Sequence, residues 1–199
     1  EQPFKMATHC PICHHELIKN NEEAAYYCPN DQCPAKKQEK LIHFTSRNAM
    51  NIEGFGDRII EDFFNLGFLC NYDDFYILNE HKEELMELEG FGEKSINNLL
   101  EEIEKSKNNS LERLLFGLSI RHVGAKTADI LAKNFLNLDN LIVASFDDVS
   151  AIKDIGPIIA KSVTEYFQND ENIKLISRLK KHHVNMVYLK KVTTSITDF

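Results

Sequence analysis

Tryptophan is absent from this 199-residue chain, glycine is held to 8 positions and proline to 5. No apolar run approaches the roughly 20 residues that a bilayer-crossing helix needs, so no segment reads as a membrane span. The opening residues, Glu1-Gln2-Pro3-Phe4-Lys5, contain neither an initiator Met nor an apolar signal core. They read as a cut inside a longer protein, with a cytoplasmic location expected. Positive charge is also scarce. Lys and Arg number 23 against 31 Asp and Glu, a net −8, which argues against a protein that grips phosphates chiefly with side chains. The deficit is local: residues 51–109 hold 5 basic and 15 acidic groups, and a polyanion could still approach the rest. Also missing are a Lys-x-Asp-Gly nucleotidyl-transfer segment, a Walker loop and a Ser/His/Asp spacing, so no catalytic residue is assigned. What remains, 43% apolar and 27% charged residues, is ordinary globular material.

Cysteine is rare but concentrated. Four of the five fall in the first 33 residues, as Cys10-x2-Cys13 and Cys28-x4-Cys33. A disulfide framework would spread its cysteines through the chain, whereas two close pairs suit a metal in a reducing compartment. Four thiolates satisfy tetrahedral zinc and leave no open position for water, so the site is structural rather than catalytic. His9, His14 and His15 read as solvated loop residues, and Cys70, in an apolar stretch, reads as core filler. A strand-like run at Ala24–Tyr27 predicts short strands around the metal. Residues 35–49 predict a helix with Lys36, Lys37, Lys40 and Arg47 on a basic outer face.

From residue 50 the chain repeats itself. Ile52-Glu53-Gly54-Phe55-Gly56, Leu88-Glu89-Gly90-Phe91-Gly92, Ile120-Arg121-His122-Val123-Gly124 and Ile152-Lys153-Asp154-Ile155-Gly156 share one pattern, their closing glycines 36, 32 and 32 residues apart. Each precedes a helical apolar stripe and follows an apolar or amphipathic run. The unit is helix, tight turn, helix, and residues 50–182 read as all-α within a mainly α chain. Asp147-Asp148 reads as a cap signal in the connection ahead of the fourth unit. Glycine permits a crowded or left-handed backbone, after which the second helix starts with free N–H groups. Those donors, with the helix dipole, seat a phosphate without a basic side chain and without reading sequence. Gly54, Gly56, Gly90, Gly92, Gly124 and Gly156 are therefore candidate DNA-binding positions, with Arg121 and Lys126 beside the third turn and Arg113 near a helix end. His122 and Asp154 replace the first glycine of the third and fourth turns. Asp154 would repel a phosphate unless it caps the next helix. Pro157 suits a helix start. Residues 173–183 predict a final helix closed by positive charge, and 186–199 read as a linker toward a further domain.

Cys10-Pro11-x-Cys13, Tyr27-Cys28-Pro29-Asn30-x-x-Cys33-Pro34, Phe44-x-Ser46-Arg47-x-Ala49-Met50-x-Ile52-x-Gly54, Leu88-Glu89-Gly90-Phe91-Gly92 and Leu114-Leu115-Phe116-Gly117-Leu118 together resemble the bacterial NAD-dependent DNA ligase family. The resemblance covers the C-terminal zinc finger plus helix-hairpin-helix region, to about residue 185. It implies a four-cysteine finger over 1–34, a connecting helix over 35–49 and a four-hairpin DNA-binding domain over 50–185. Cys10, Cys13, Cys28 and Cys33 match the family's zinc ligands. It also implies a parent that seals nicks in replication and repair using NAD and magnesium. The adenylation, oligonucleotide-binding-fold and BRCT domains of that parent would lie outside this chain, which should be inactive alone. A helix-hairpin-helix glycosylase is the alternative enzyme and would need a catalytic Asp or Lys beyond one hairpin. A protein-docking scaffold is the non-enzymatic alternative, with the acidic 51–109 segment in its favour.

Overall fold

Each of the four repeated segments delivers a helix immediately after its last glycine. In the computed structural model, which describes residues 6–19 and 25–189, α2 (Asp57–Asn65), α4 (Glu93–Ser106), α6 (Ala125–Phe135) and α9 (Pro157–Gln168) follow Gly56, Gly92, Gly124 and Gly156. The helices that lead into these turns are α1 (Pro34–Thr45), α3 (Lys82–Met86), α5 (Leu111–Gly117) and α8 (Phe146–Ser150). A short helix, α7 (Leu138–Ile142), links the third pair to the fourth, and α10 (Asp170–Lys181) closes the bundle. Ahead of them stands a two-stranded antiparallel ribbon, β1 (Ile18–Lys19) on β2 (Tyr26–Tyr27), with Ile18 opposite Tyr27. The mainly α class expected from the sequence is the class found.

The apolar stripes bury as their 3.6-residue period dictates. Ile60 and Phe63, Ile96 and Ile103, Ala128 and Leu131, and Ala160 and Val163 all face one shared core. At its centre Phe44 stacks on Tyr72 and Phe75 at 4.7 and 5.7 Å, while Phe55 meets Phe75 edge-on at 5.3 Å. Tyr72 and Phe75 belong to an element that the apolar periodicity does not announce. Tyr72–His81 is a ten-residue 3-10 stretch, far longer than the three or four residues usual for that geometry. Side-chain bonds hold it: the Asp74 carboxylate accepts the N–H groups of Cys70 and Asn71, both at 2.7 Å. Asp73, with its side chain only 10% exposed, receives Arg178 of α10 through Nε at 2.8 Å and Nη2 at 3.3 Å. Such a forked pair costs little if both partners stay and much if one is removed.

Three expectations need correction. Cys70 is exposed rather than core filler. Gly67, at φ +84, ends α2 and turns the chain so that Leu69 enters the core, which sends its neighbour outward. Residues 186–189 are not free linker. Val187 accepts the N–H of Leu111 and Met186 that of Leu138, while Tyr188 donates to Leu136 O at 2.7 Å. They form a strap across α5, α6 and α7, and residues 190–199 lie outside the described residues. Asp147 and Asp148 lie within the first turn of α8, where Asp148 caps back onto Ser145, rather than in a connection ahead of that helix.

Phe75→Ala should destabilise the chain by about 3–5 kcal/mol, since its aromatic neighbours cannot refill the space. Thermal unfolding followed by circular dichroism reads this directly, and an unchanged midpoint would contradict this core.

Candidate metal centre and nucleic-acid interface

The Cys10–Cys13 turn is closed by His14 N–H on Cys10 O and Cys10 N–H on His15 O. The second pair comes from the loop leading into α1, with Cys33 as the residue that starts the helix. These two loops bring Cys10, Cys13, Cys28 and Cys33 together, all four Sγ atoms within 4.8 Å of one another. Cys13 and Cys28 are 3.4 Å apart and Cys10 and Cys33 3.9 Å. A tetrahedron of Zn–S bonds near 2.3 Å needs sulfurs about 3.8 Å apart, so the geometry fits zinc. The charges fit too. The backbone N–H of His15 favours the Cys13 thiolate and lowers its pKa to about 5, whereas desolvation raises Cys28 to about 11. Four crowded thiols resist joint ionisation until a cation offsets the repulsion. Zinc would be held by these four residues and would supply structural cross-linking of two loops joined otherwise, among the described residues, by a two-residue ribbon and the contact of Asn30 Nδ2 with His15 Nδ1 at 3.3 Å. His9, His14 and His15 are exposed and stand outside the cluster. The basic face of α1 is partly spent locally: Lys36 bonds Asp31 at 2.9 Å and Cys28 O at 3.3 Å.

The four turns share one backbone despite unequal sequences. Gly54, Gly90, His122 and Asp154 adopt φ of +88, +85, +64 and +70. Aspartate and histidine are among the few L-residues that tolerate this region, which is why they can stand where glycine stands in the first two turns. At the first turn glycine is also a steric need, because a Cβ on Gly54 would sit 2.8 Å from Leu99. The residue after the left-handed one folds back in three turns, Phe91 onto Leu88 O, Val123 onto Ile120 O and Ile155 onto Ile152 O at 3.0–3.1 Å. In the first, Gly56 N–H bonds Gly54 O instead.

The second glycines pose a different question. Gly56, Gly92, Gly124 and Gly156 have φ of −71, −140, −83 and −82, all ordinary for any residue. A Cβ on any of them would meet nothing within 4 Å. The chain itself therefore has no use for glycine there. Each is the residue from which a helix departs, and none of these starts is capped by a side chain at that position. Asp154 does not cap α9, the arrangement that would have spent its charge within the chain. At the second turn Ser95 Oγ takes the Gly92 N–H at 2.9 Å, which removes one donor. Pro157 removes another at the fourth.

Side chains add to this pattern. Two residues beyond the second glycine stand Arg58, Lys94 and Lys126, all exposed, and at the fourth turn Ile158, 67% exposed. Arg58 and Lys94 escaped the sequence reading, though their recurrence at a fixed offset was a visible signal. With exposed Arg121, none of these four cations lies within 4 Å of a carboxylate among the described residues. A cleft of about 980 Å³ separates the first turn from the second, bounded by Gly54, Arg58, Gly90, Phe91 and Leu99. No described helix is long and apolar enough to cross a membrane.

The purified chain should contain one zinc per molecule. Chelation should unfold the finger and leave most helical signal, and zinc affinity should decline as the pH is lowered, because protons compete for thiolates. Metal analysis with chelator titration checks this, and a finger that keeps its structure without metal would refute the four-thiolate site.

Residues 9–35 match the family described as the NAD-dependent DNA ligase C4 zinc finger domain, and residues 113–176 match the helix-hairpin-helix motif. The second match spans both turns that lack a first glycine. Curated relatives named DNA ligase from Bacillus cereus (strain G9842), Bacillus mycoides (strain KBAB4) and Bacillus thuringiensis (strain Al Hakam) are each 49% identical over 188 residues, 94% of this chain. The chain spans 28% of the length of each. With the finger's cysteines assembled and the turns repeated four times, the chain is similar to the zinc-finger and helix-hairpin-helix segment of the NAD-dependent DNA ligases.

Proposed function

We propose that this chain holds duplex DNA without regard to sequence, on behalf of a ligase whose chemistry resides elsewhere. One observation carries the reading: at four helix starts there is glycine where the chain's own packing has no need of it, and each opens outward. A phosphate oxygen approaching Gly56, Gly92 or Gly124 meets backbone N–H donors and the positive helix end, with no Cβ in its way, whereas at Gly156 the non-capping Asp154 and the missing Pro157 N–H leave the weakest seat. Gly54 and Gly90 set the turn that aims those donors. Arg58, Lys94, Arg121 and Lys126 add charge at the rim. This reconciles phosphate binding with a net charge of −8, because backbone dipoles do the gripping. Such contacts position a duplex and carry no base information.

In the parent, adenylation from NAD, transfer of AMP to the 5′-phosphate and attack by the 3′-hydroxyl would seal a nick, with magnesium assisting. The groups for those steps would lie in the adenylation and oligonucleotide-binding-fold domains, and a BRCT domain would follow. This segment would wrap the duplex in the cytoplasm, and its finger, over residues 1–34, would join it to what precedes. The hairpin domain starts near residue 50 and includes the strap to residue 189. A scaffold that docks proteins is the second reading, favoured only by the exposed carboxylates on α3 and α4.

Gly56→Val or Gly92→Val should each weaken duplex affinity about tenfold, the loss of one or two charge-assisted hydrogen bonds, while helicity is retained. Band-shift titration tests this, and unchanged affinity would take both turns out of the interface. The logarithm of the affinity should fall linearly with log salt, and Lys126→Gln should lower the magnitude of that slope by about one. No duplex binding even at low salt would favour the scaffold.

A further inference from the structure

The first turn is held in place by side chains from a different hairpin. Residues 46–52, which lead from α1 into Gly54, form a loop with Asn51 at φ +50. Backbone bonds within it use the carbonyls of Phe44, Thr45 and Ser46. The carbonyls of Arg47, Ala49 and Met50 are taken instead by residues about 60 positions away in sequence. Arg113 Nη1 donates to Arg47 O at 2.8 Å and to Ala49 O at 3.0 Å, and Asn109 Nδ2 donates to Met50 O at 2.6 Å. Arg113 lies in α5, the helix that leads into the third turn. Alongside, Gly117 of α5 packs on Phe44, where a Cβ would come within 3.2 Å, and His43 Nε2 lies 2.7 Å from Phe116 O.

Asn109 is itself pinned. Asn185 Nδ2 donates to Asn109 O at 2.9 Å, and Leu189 N–H donates to Ser110 Oγ at 2.8 Å. A chain of bonds thus runs from the strap through the start of α5 to the loop before Gly54. It joins the first and third turns, which neither sequence spacing nor chain order makes neighbours.

We propose that Asn109 and Arg113 are positioning residues for duplex binding, which set the first glycine turn at a fixed span from the third. This rests on the reading that the turns seat phosphates. Two seats on a stiff duplex bind together only when their separation matches the phosphates they take, so a loose first turn loses its share of the binding while the others keep theirs. Arg113 is well suited to such a brace, since one planar guanidinium spans two carbonyls. It also backs a polar cleft of about 700 Å³ bounded by Arg47, Asn51, Gly54 and Gly56, onto which the first turn opens.

The test is a double-mutant cycle on the 199-residue chain, read by fluorescence anisotropy with a labelled, unnicked duplex. Arg113→Ala and Asn109→Ala should each weaken affinity about fivefold in the wild-type background, the worth of one such bond. In a Gly56→Val background, where the first seat is already lost, they should cost nothing more. In a Gly92→Val background the fivefold loss should return. Losses that multiply equally in both backgrounds mark general destabilisation or direct contact and overturn the proposal, as does unaltered affinity in the wild-type background. Where Arg113→Ala loses its helical signal, Asn109→Ala, which removes a single donated bond, carries the test. A wild-type chain that binds no duplex fails the binding reading itself, an outcome distinct from the failure of either variant.

Discussion

A left-handed residue two positions ahead of each glycine helix start sets the geometry on which the rest depends. It bends the chain tightly enough to bury the apolar residues around it and to start the next helix with its first amides facing out. Glycine meets that requirement most cheaply, and histidine or aspartate meets it at modest cost. The third and fourth turns therefore keep the backbone of the first two while changing what stands on their surface. The fold repeats as a shape more faithfully than as a sequence.

The same constraint explains the charge. A protein that held phosphates with lysines would need a basic surface, yet α3 and α4 are acidic on their exposed faces. Amides at helix starts impose no such composition. The arginines and lysines beside the turns need only tune an attraction that the backbone already provides. The finger follows a comparable economy. Its ribbon is two residues per strand, too short to be stable unaided, and four thiolates around zinc would supply what a core of that size cannot.

Much of this is legible from residues alone, for identifiable reasons. The cysteine spacing prescribes a tetrahedron, and the Gly-x-Gly recurrence prescribes paired helices, because both depend on local chemistry. Cys70 defeats such reading because hydropathy cannot tell which of two neighbours, Leu69 or Cys70, faces inward after a turn. The Tyr72–His81 stretch lacks a helical apolar period and is shaped by Asp74 and by Arg178, whose partner lies 105 residues away. Residues 186–189 look polar enough for a linker, yet their backbone bonds to α5, α6 and α7 leave no trace in composition. Arg113 and Asn109 belong to the same class. Their partners are backbone carbonyls, which no side-chain pattern reveals.

The most direct measurement is amide chemical-shift perturbation as duplex DNA is titrated into the labelled chain. The largest shifts should fall on the amides of residues 57–59, 93–95 and 125–127, with smaller ones at 158–159, where Asp154 opposes a phosphate. Shifts confined to the acidic faces of α3 and α4, with those amides silent, would contradict the account at its root.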